Sequence, residues 1–268
     1  MKTENEYIIT GGEEGKKRLN ILSDVMYAYT KSLLTANGVS AGGSFLDVGC
    51  GGGNVSMMAS QIVGGQGRVV GVDFDETIIS LDNKDEQASG ITNITYQAMS
   101  AYDIDFSNEF DTVYARFLLS HLTEPLKVLK RMAQSAKPGG KIVVEDIHFS
   151  GHFCYPACPA FDKYVQLFTE AGLKHGQNPE IGLELPSLFE KAGIKDIGFD
   201  VIQPTFQSGA GKWMGYITMD KIKDAVLSLG LADRQAIDNI LAELEAYTKD
   251  EQSIISLPRI FRVWGTKG

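Results

Sequence analysis

Residues 45–54 read FLDVGCGGGN, an apolar run tipped by an acid that opens into four glycines within five positions. Glycine is entropically costly in regular structure, so this density marks a turn where backbone must come close to a ligand. The run SFLDVGC (44–50) has the make-up of a buried strand. Just downstream, Val55, Met58, Ala59 and Ile62 fall at helical spacing, with Asn54 as the expected N-cap. A strand, a glycine turn and a helix N-terminus together make a cradle for nucleotide-like ligands. The dinucleotide fingerprint G-x-G-x-x-G fits Gly49 and Gly51 but meets Asn54 where its last glycine belongs. The pattern Asp-x-Gly-x-Gly-x-Gly fits in full, over Asp47, Gly49, Gly51 and Gly53.

Working outward, short β-branched runs alternate with helical patterns. Strands are expected at 44–50, 68–74, 94–100, 111–117, 141–147, 194–204 and 259–267. Runs that are hydrophobic almost throughout suit a parallel sheet buried on both faces. A helix is expected over TEPLKVLKRMAQSAK, capped by Thr123, with Pro125 in its first turn and a stop at Pro138-Gly139-Gly140. The alternation predicts a doubly wound α/β fold, in which ligands bind beyond the carboxyl ends of the strands.

The second strand ends in Asp73, twenty residues beyond Gly53. A carboxylate there can accept two hydrogen bonds from ribose hydroxyls, while Asp75 is better placed to cap the following helix. Taken alone, the loop leaves both a nicotinamide dinucleotide and a methyl-donor nucleoside open.

Five segments in order resemble the class I S-adenosylmethionine-dependent methyltransferases. They are FLDVGCGGGN, VVGVDFDE, ITYQAMSAYDIDF, EFDTVYARFLLSHL and AKPGGKIVVEDI. The resemblance spans about residues 44–205 and implies a Rossmann-like, seven-stranded, mostly parallel sheet. It implies S-adenosyl-L-methionine as cofactor, held by Asp47, Gly49, Cys50, Gly51, Gly53 and Asn54 in the loop. Asp73 would bind the ribose and Phe74 would flank the adenine. Ser100 and Ala101 would lie by the adenine edge, and Ala115 and Arg116 would face the methionine part. Family members often carry an acid at the position of Ser100; here its hydroxyl, or Asp103 just beyond, would accept the adenine amino group. The N-terminal EYIITGGEEGKKRLNIL also looks like the segment that folds over the cofactor, with Arg18 reaching the cofactor carboxylate and Tyr7 closing the site.

Methyl transfer from a sulfonium needs positioning first, and a base only when the acceptor is a hydroxyl or carbon acid. His148, after Glu145 and Asp146 at the end of the fifth strand, is the candidate base or acceptor contact. His121 reads as a packed histidine. HFSGHFCYPAC holds His148, His152, Cys154 and Cys158, but their spacing matches no common zinc pattern, so no metal is expected. The aromatics Phe149, Phe153, Tyr155, Phe161, Tyr164 and Phe168 suggest an apolar acceptor pocket.

The chain divides into four parts: an N-terminal helical extension (1–43, helix from about Lys16 to Leu34), the cofactor-binding core (44–205), a helical insert (206–252) and a last strand completing the sheet (253–268). The insert's stripes, Ile222, Ala225, Val226, Leu229 and Ile237, Ile240, Leu241, Leu244, mark two amphipathic helices. Packing on each other and on the sheet edge would account for these stripes, and with Trp213 and Tyr216 at their approach the helices are also candidates for a lid over the acceptor site. A net charge of −9 over 268 residues argues against a nucleic-acid groove. Three cysteines, a polar N-terminus and no long apolar run fit a cytoplasmic protein with no membrane partner. The expected activity is methyl transfer to a small-molecule acceptor. The runners-up are an NAD-dependent oxidoreductase and a non-catalytic S-adenosylmethionine-binding protein.

Overall fold

The computed structural model describes residues 12–268. Its main sheet has seven strands: β1 (Ser44–Val48), β2 (Arg68–Asp73), β3 (Ile94–Ala98), β4 (Phe110–Arg116), β5 (Ala136–His148), β7 (Lys195–Ile202) and β10 (Arg259–Thr266). The order is β3-β2-β1-β4-β5-β10-β7, parallel except where β10 runs against β5 and β7. A second, three-stranded sheet joins β6 (Cys154–Tyr155), β9 (Ile254–Ser256) and β8 (Thr205–Phe206). The seven-stranded, mostly parallel architecture matches the sequence expectation.

The strand order reverses between β1 and β4, where chains leaving neighbouring strands diverge and open a crevice. Four helices flank the sheet beside this crevice: α1 (Gly12–Ala36), α2 (Asn54–Val63), α3 (Glu76–Ser89) and α4 (Pro125–Ser135). One face packs Leu46, Val48, Val113, Ala115, Ile142 and Val144 against α4 and α6 (Leu185–Lys191). The other packs Phe45, Val69, Tyr114 and Val143 against α1 and α2. Burial on both faces explains the uninterrupted apolar strands, each fully buried large side chain contributing about 1.5–3 kcal/mol.

Three local expectations are corrected. Gly53, at φ 70°, is the N-cap of α2, and Asn54 is its first residue; the Asn54 side chain donates instead to Asn20 on α1. Thr123 does not cap α4, because Glu124 occupies the cap position. The helix also stops before Pro138-Gly139-Gly140, at Ser135, and that tripeptide lies in the irregular start of β5, whose register against β4 shifts between Phe110 and Thr112. Asp75 does cap α3, its Oδ1 accepting from the amides of Thr77 (2.9 Å) and Ile78 (3.2 Å).

Helices α7 (Met214–Ser228) and α8 (Arg234–Lys249) occupy the expected insert and pack against α5 (Pro159–Lys174). Phe161, Tyr164, Leu167 and Phe168 from α5 meet Met219, Ile222, Val226, Ile237, Ile240 and Leu244 in one apolar cluster. The insert stripes therefore find their partner mainly in α5, and the cluster closes over Ile147 and Phe149 at the end of β5. Among the described residues no helix is long and apolar enough to cross a membrane.

Candidate active site

A cavity of about 1250 Å³ opens at the carboxyl ends of β1, β2, β4 and β5. Its first half is built by the glycine turn and the acids beside it. Gly49, Gly51 and Gly53 have φ of 72°, 51° and 70°, the left-handed region that side chains resist. The turn is pinned from behind: the amides of Gly49 and Cys50 donate to the Val72 carbonyl, and that of Gly51 to Asp73 Oδ2 at 3.0 Å. The other oxygen of Asp73 accepts from the Asp75 amide at 3.0 Å. Burial pushes the Asp73 carboxyl up, while these amide donors pull it back.

Asp47 is buried below the turn and accepts from Ser56 Oγ at 2.7 Å. Burial raises its pKa to about 6 against the opposing pull of that bond and of Arg116. Arg116, at the end of β4, donates to Thr30 Oγ1 of α1 at 3.2 Å; Thr30 in turn donates to the fully buried Glu145 at 2.7 Å, which also takes the Tyr114 hydroxyl. This chain ties α1 to the sheet directly under the cavity. Phe117 follows at φ 53°, a strained turn that carries Phe117 and Leu118 into the cavity wall.

Of the expected cofactor residues, Asp47, Gly49, Cys50, Gly51, Asn54, Asp73, Phe74, Ser100, Ala101, Arg116 and Arg18 line this cavity. Gly53 does not line it, although it shapes the turn. A Cβ at Gly53 would lie 2.5 Å from Tyr96 Oη, so its hydrogen leaves room for the ring that supports the loop. Gly53→Ala is expected to cost about 2–4 kcal/mol, the sum of the clash and the left-handed backbone, read as a lower denaturation midpoint. Ala115 is fully buried and packs into the core, because strand alternation turns it away from the side that Arg116 faces. Asp103 is exposed and off the cavity, which leaves Ser100 on that edge. Tyr7 lies outside the described residues.

The second half of the cavity is apolar and aromatic. Phe149, Tyr164 and Phe168 line it with Ile147, Met214, Leu257 and Ile260. The rings of Phe149 and Phe168 stack at 3.8 Å. Phe161 is buried behind this wall, whereas Phe153 and Tyr155 are exposed and take no part in it.

His148, the expected base, is not brought to the cavity. Its Nε2 meets Glu180 Oε2 at 3.2 Å and Ser150 Oγ at 3.1 Å, on the side where β5 faces the loop before α6. Three other histidines line the cavity instead: His121, His152 and His175, whose Nδ1 lies 2.9 Å from the Ala171 carbonyl. His152 Nδ1 lies 2.6 Å from the Phe149 carbonyl, a partner that can only accept, so Nδ1 carries the hydrogen and Nε2 keeps a lone pair. Burial among Phe149, Phe161 and Tyr164 lowers the His152 pKa to about 4, keeping the ring neutral. His121 is lowered to about 4 by burial and by Arg18, against a hydrogen bond with Gln177. The turn bearing His121 is held by buried Asp146, which accepts from the Ser120 amide at 3.1 Å. Trp213 and Tyr216 pack edge-on to each other at 5.8 Å and do not reach the cavity; Met214 and Thr218 of α7 do. Among the described residues no group of three or more His, Cys, Asp or Glu could hold a metal ion.

A family model described as a methyltransferase domain matches residues 40–193, more than half of the chain and the whole of the glycine turn. The chain belongs to the class I S-adenosylmethionine-dependent methyltransferases. The demethylmenaquinone methyltransferase of Bacillus cereus strain ATCC 10987 is 30% identical over 183 residues, 63% of this chain and 77% of that protein. The enzyme of the same name from Shouchella clausii is 37% identical over 117 residues; the match covers 43% of this chain and only half of the relative's length. Among solved structures, the YcgJ protein of Bacillus subtilis shares the fold at a TM-score of 0.59 and 18% identity, over 90% of this chain and 98% of that one. The nicotinamide reading of the glycine loop is thereby set aside.

The first half of the cavity fits the methyl donor of this family. It offers left-handed glycines that bring backbone close, a carboxylate already accepting amide bonds at the end of β2, and an exposed aromatic face at Phe74.

Proposed function

We propose that this methyltransferase acts on a small molecule whose reacting part is a flat ring bearing a hydroxyl or an acidic carbon, with His152 as the general base. The observation that carries this reading is the His152 ring, neutral, with Nδ1 held by a carbonyl and Nε2 left as a proton acceptor at an aromatic-walled cavity. The relatives named for demethylmenaquinone point the same way, toward quinone chemistry.

Bound S-adenosylmethionine supplies an electrophilic sulfonium methyl. Asp73 would accept its ribose hydroxyls, Phe74 would cover the adenine and Ser100 would accept from the adenine edge. The glycine turn and Arg116 would surround its methionine part. Phe149 and Phe168 present a flat stacking wall to the acceptor ring, and His152 Nε2 takes the proton that its nucleophile loses. Helices α5 and α7 exclude water, with Met214 and Thr218 of α7 as part of the wall.

A panel assay tests this. S-adenosylhomocysteine release is followed with reduced naphthoquinols, catechols and aliphatic amines as acceptors. Turnover with the ring hydroxyl compounds, and none with the amines, is the expected result. Turnover confined to amines would defeat the ring reading and the need for a base.

A further inference from the structure

The acceptor half of the cavity contains a cation, and the acids that line the cavity all lie in the donor half. Arg18, on the first turns of α1, extends to α7, where its Nε donates to Thr218 Oγ1 at 3.5 Å. Its charge acts on Tyr164 of α5 and on His121, and the Thr218 hydroxyl sits beside that of Tyr164. Tyr164 and Thr218 are each only 2% exposed. One guanidinium and two buried hydroxyls therefore converge where three elements meet, beside the Phe149–Phe168 wall. Exposed Lys174 lines the same cavity.

The lining carboxylates, Asp47, Asp73 and Asp75, follow β1 and β2. Of the three lining histidines, His121 and His152 are neutral near pH 7. In a chain of net charge −9, this leaves the acceptor half as a local positive field enclosed by apolar walls, which strengthens it.

We infer that the acceptor carries an anionic oxygen group, a carboxylate or phosphate, which Arg18 binds together with the hydroxyls of Tyr164 and Thr218. Arg18 is thus a specificity-determining residue of the acceptor half, in place of the contact to the cofactor carboxylate expected from sequence. The inference rests on the ring-acceptor reading above. The planar fork of arginine suits two-oxygen groups, and charge-assisted bonds discriminate strongly against neutral isosteres.

The test uses the full chain saturated with S-adenosylhomocysteine, titrated by calorimetry with hydroxybenzoate, phenyl phosphate and the neutral hydroxybenzamide. At least one anion is expected to bind about tenfold or more tightly than the amide. Arg18→Gln should bring them to parity and Arg18→Lys should keep part of the difference, with S-adenosylhomocysteine affinity unchanged in both. Retained S-adenosylhomocysteine binding also shows that the variants are folded. Equal binding of anions and amide to the wild type overturns this inference and leaves the ring reading standing. If Arg18→Gln weakens S-adenosylhomocysteine and not the anions, Arg18 belongs to the donor and the inference falls. Binding of none of the three overturns both readings.

Discussion

Asp73→Ala is expected to weaken S-adenosylmethionine binding by about 10²–10⁴-fold, and S-adenosylhomocysteine binding by a similar factor. Two charge-assisted bonds to ribose hydroxyls, at about 1.5–3 kcal/mol each, account for that range. The same substitution also removes the acceptor for the Gly51 amide, so the turn loses the contact that sets its distance from the ligand. Asp73→Asn keeps one oxygen and should lose only about tenfold. The fold should survive, because the cap of α3 is Asp75 and the sheet pairing of Asp73 with Ala98 is made by backbone. Calorimetry gives the affinities and circular dichroism the folded state. A wild-type affinity in Asp73→Ala would remove this carboxylate from the donor site.

His152→Gln is expected to lower kcat by about 10²–10⁴-fold with donor affinity unchanged, the range for loss of a positioned general base. Glutamine can keep a bond to the Phe149 carbonyl but offers no basic nitrogen. The pH dependence separates this role from a packing role. With a pKa of about 4, His152 stays a base through neutrality, so the wild-type rate should show no His152 inflection at pH 6–7 and should fall as pH approaches 4. Stability follows the same shift. The unfolded chain takes up a proton near pH 6.5 that the folded ring takes up only near 4, so this group's contribution to stability is lost as pH falls through that window. His152→Gln should therefore gain stability relative to the wild type between pH 6.5 and 4. An unchanged kcat accompanied by that stability gain would reduce His152 to a packed ring.

The donor half was legible because it is local in sequence. The turn, Asp47 and Asp73 belong to two successive strand ends, and strand–turn–helix periodicity is enough to bring them together. Where sequence reading failed there, it failed by orientation: Ala115 and Gly53 are neighbours of lining residues but point to the core and to Tyr96. The acceptor half is assembled from distant segments. Arg18 and Thr218 are 200 residues apart and meet only because α7 packs on α5. His152 belongs to a His- and Cys-bearing stretch with no common zinc spacing; what defines it is a carbonyl three residues earlier in a tight turn, and such a turn leaves no periodic signal. His148 looked attractive at the end of β5, yet its ring turns toward Glu180, a partner that neither spacing nor composition announces.

The most direct measurement follows the methyl group itself. The protein is incubated with S-adenosylmethionine labelled in its methyl and a small-molecule extract supplemented with protein and nucleic acid. Label is then partitioned between the macromolecular precipitate and the small-molecule fraction. The expected result is label in a small aromatic product, lost in Asp73→Ala and reduced by at least about 10²-fold in His152→Gln. Label confined to protein or nucleic acid, or a labelled small molecule formed equally well by His152→Gln, would contradict it.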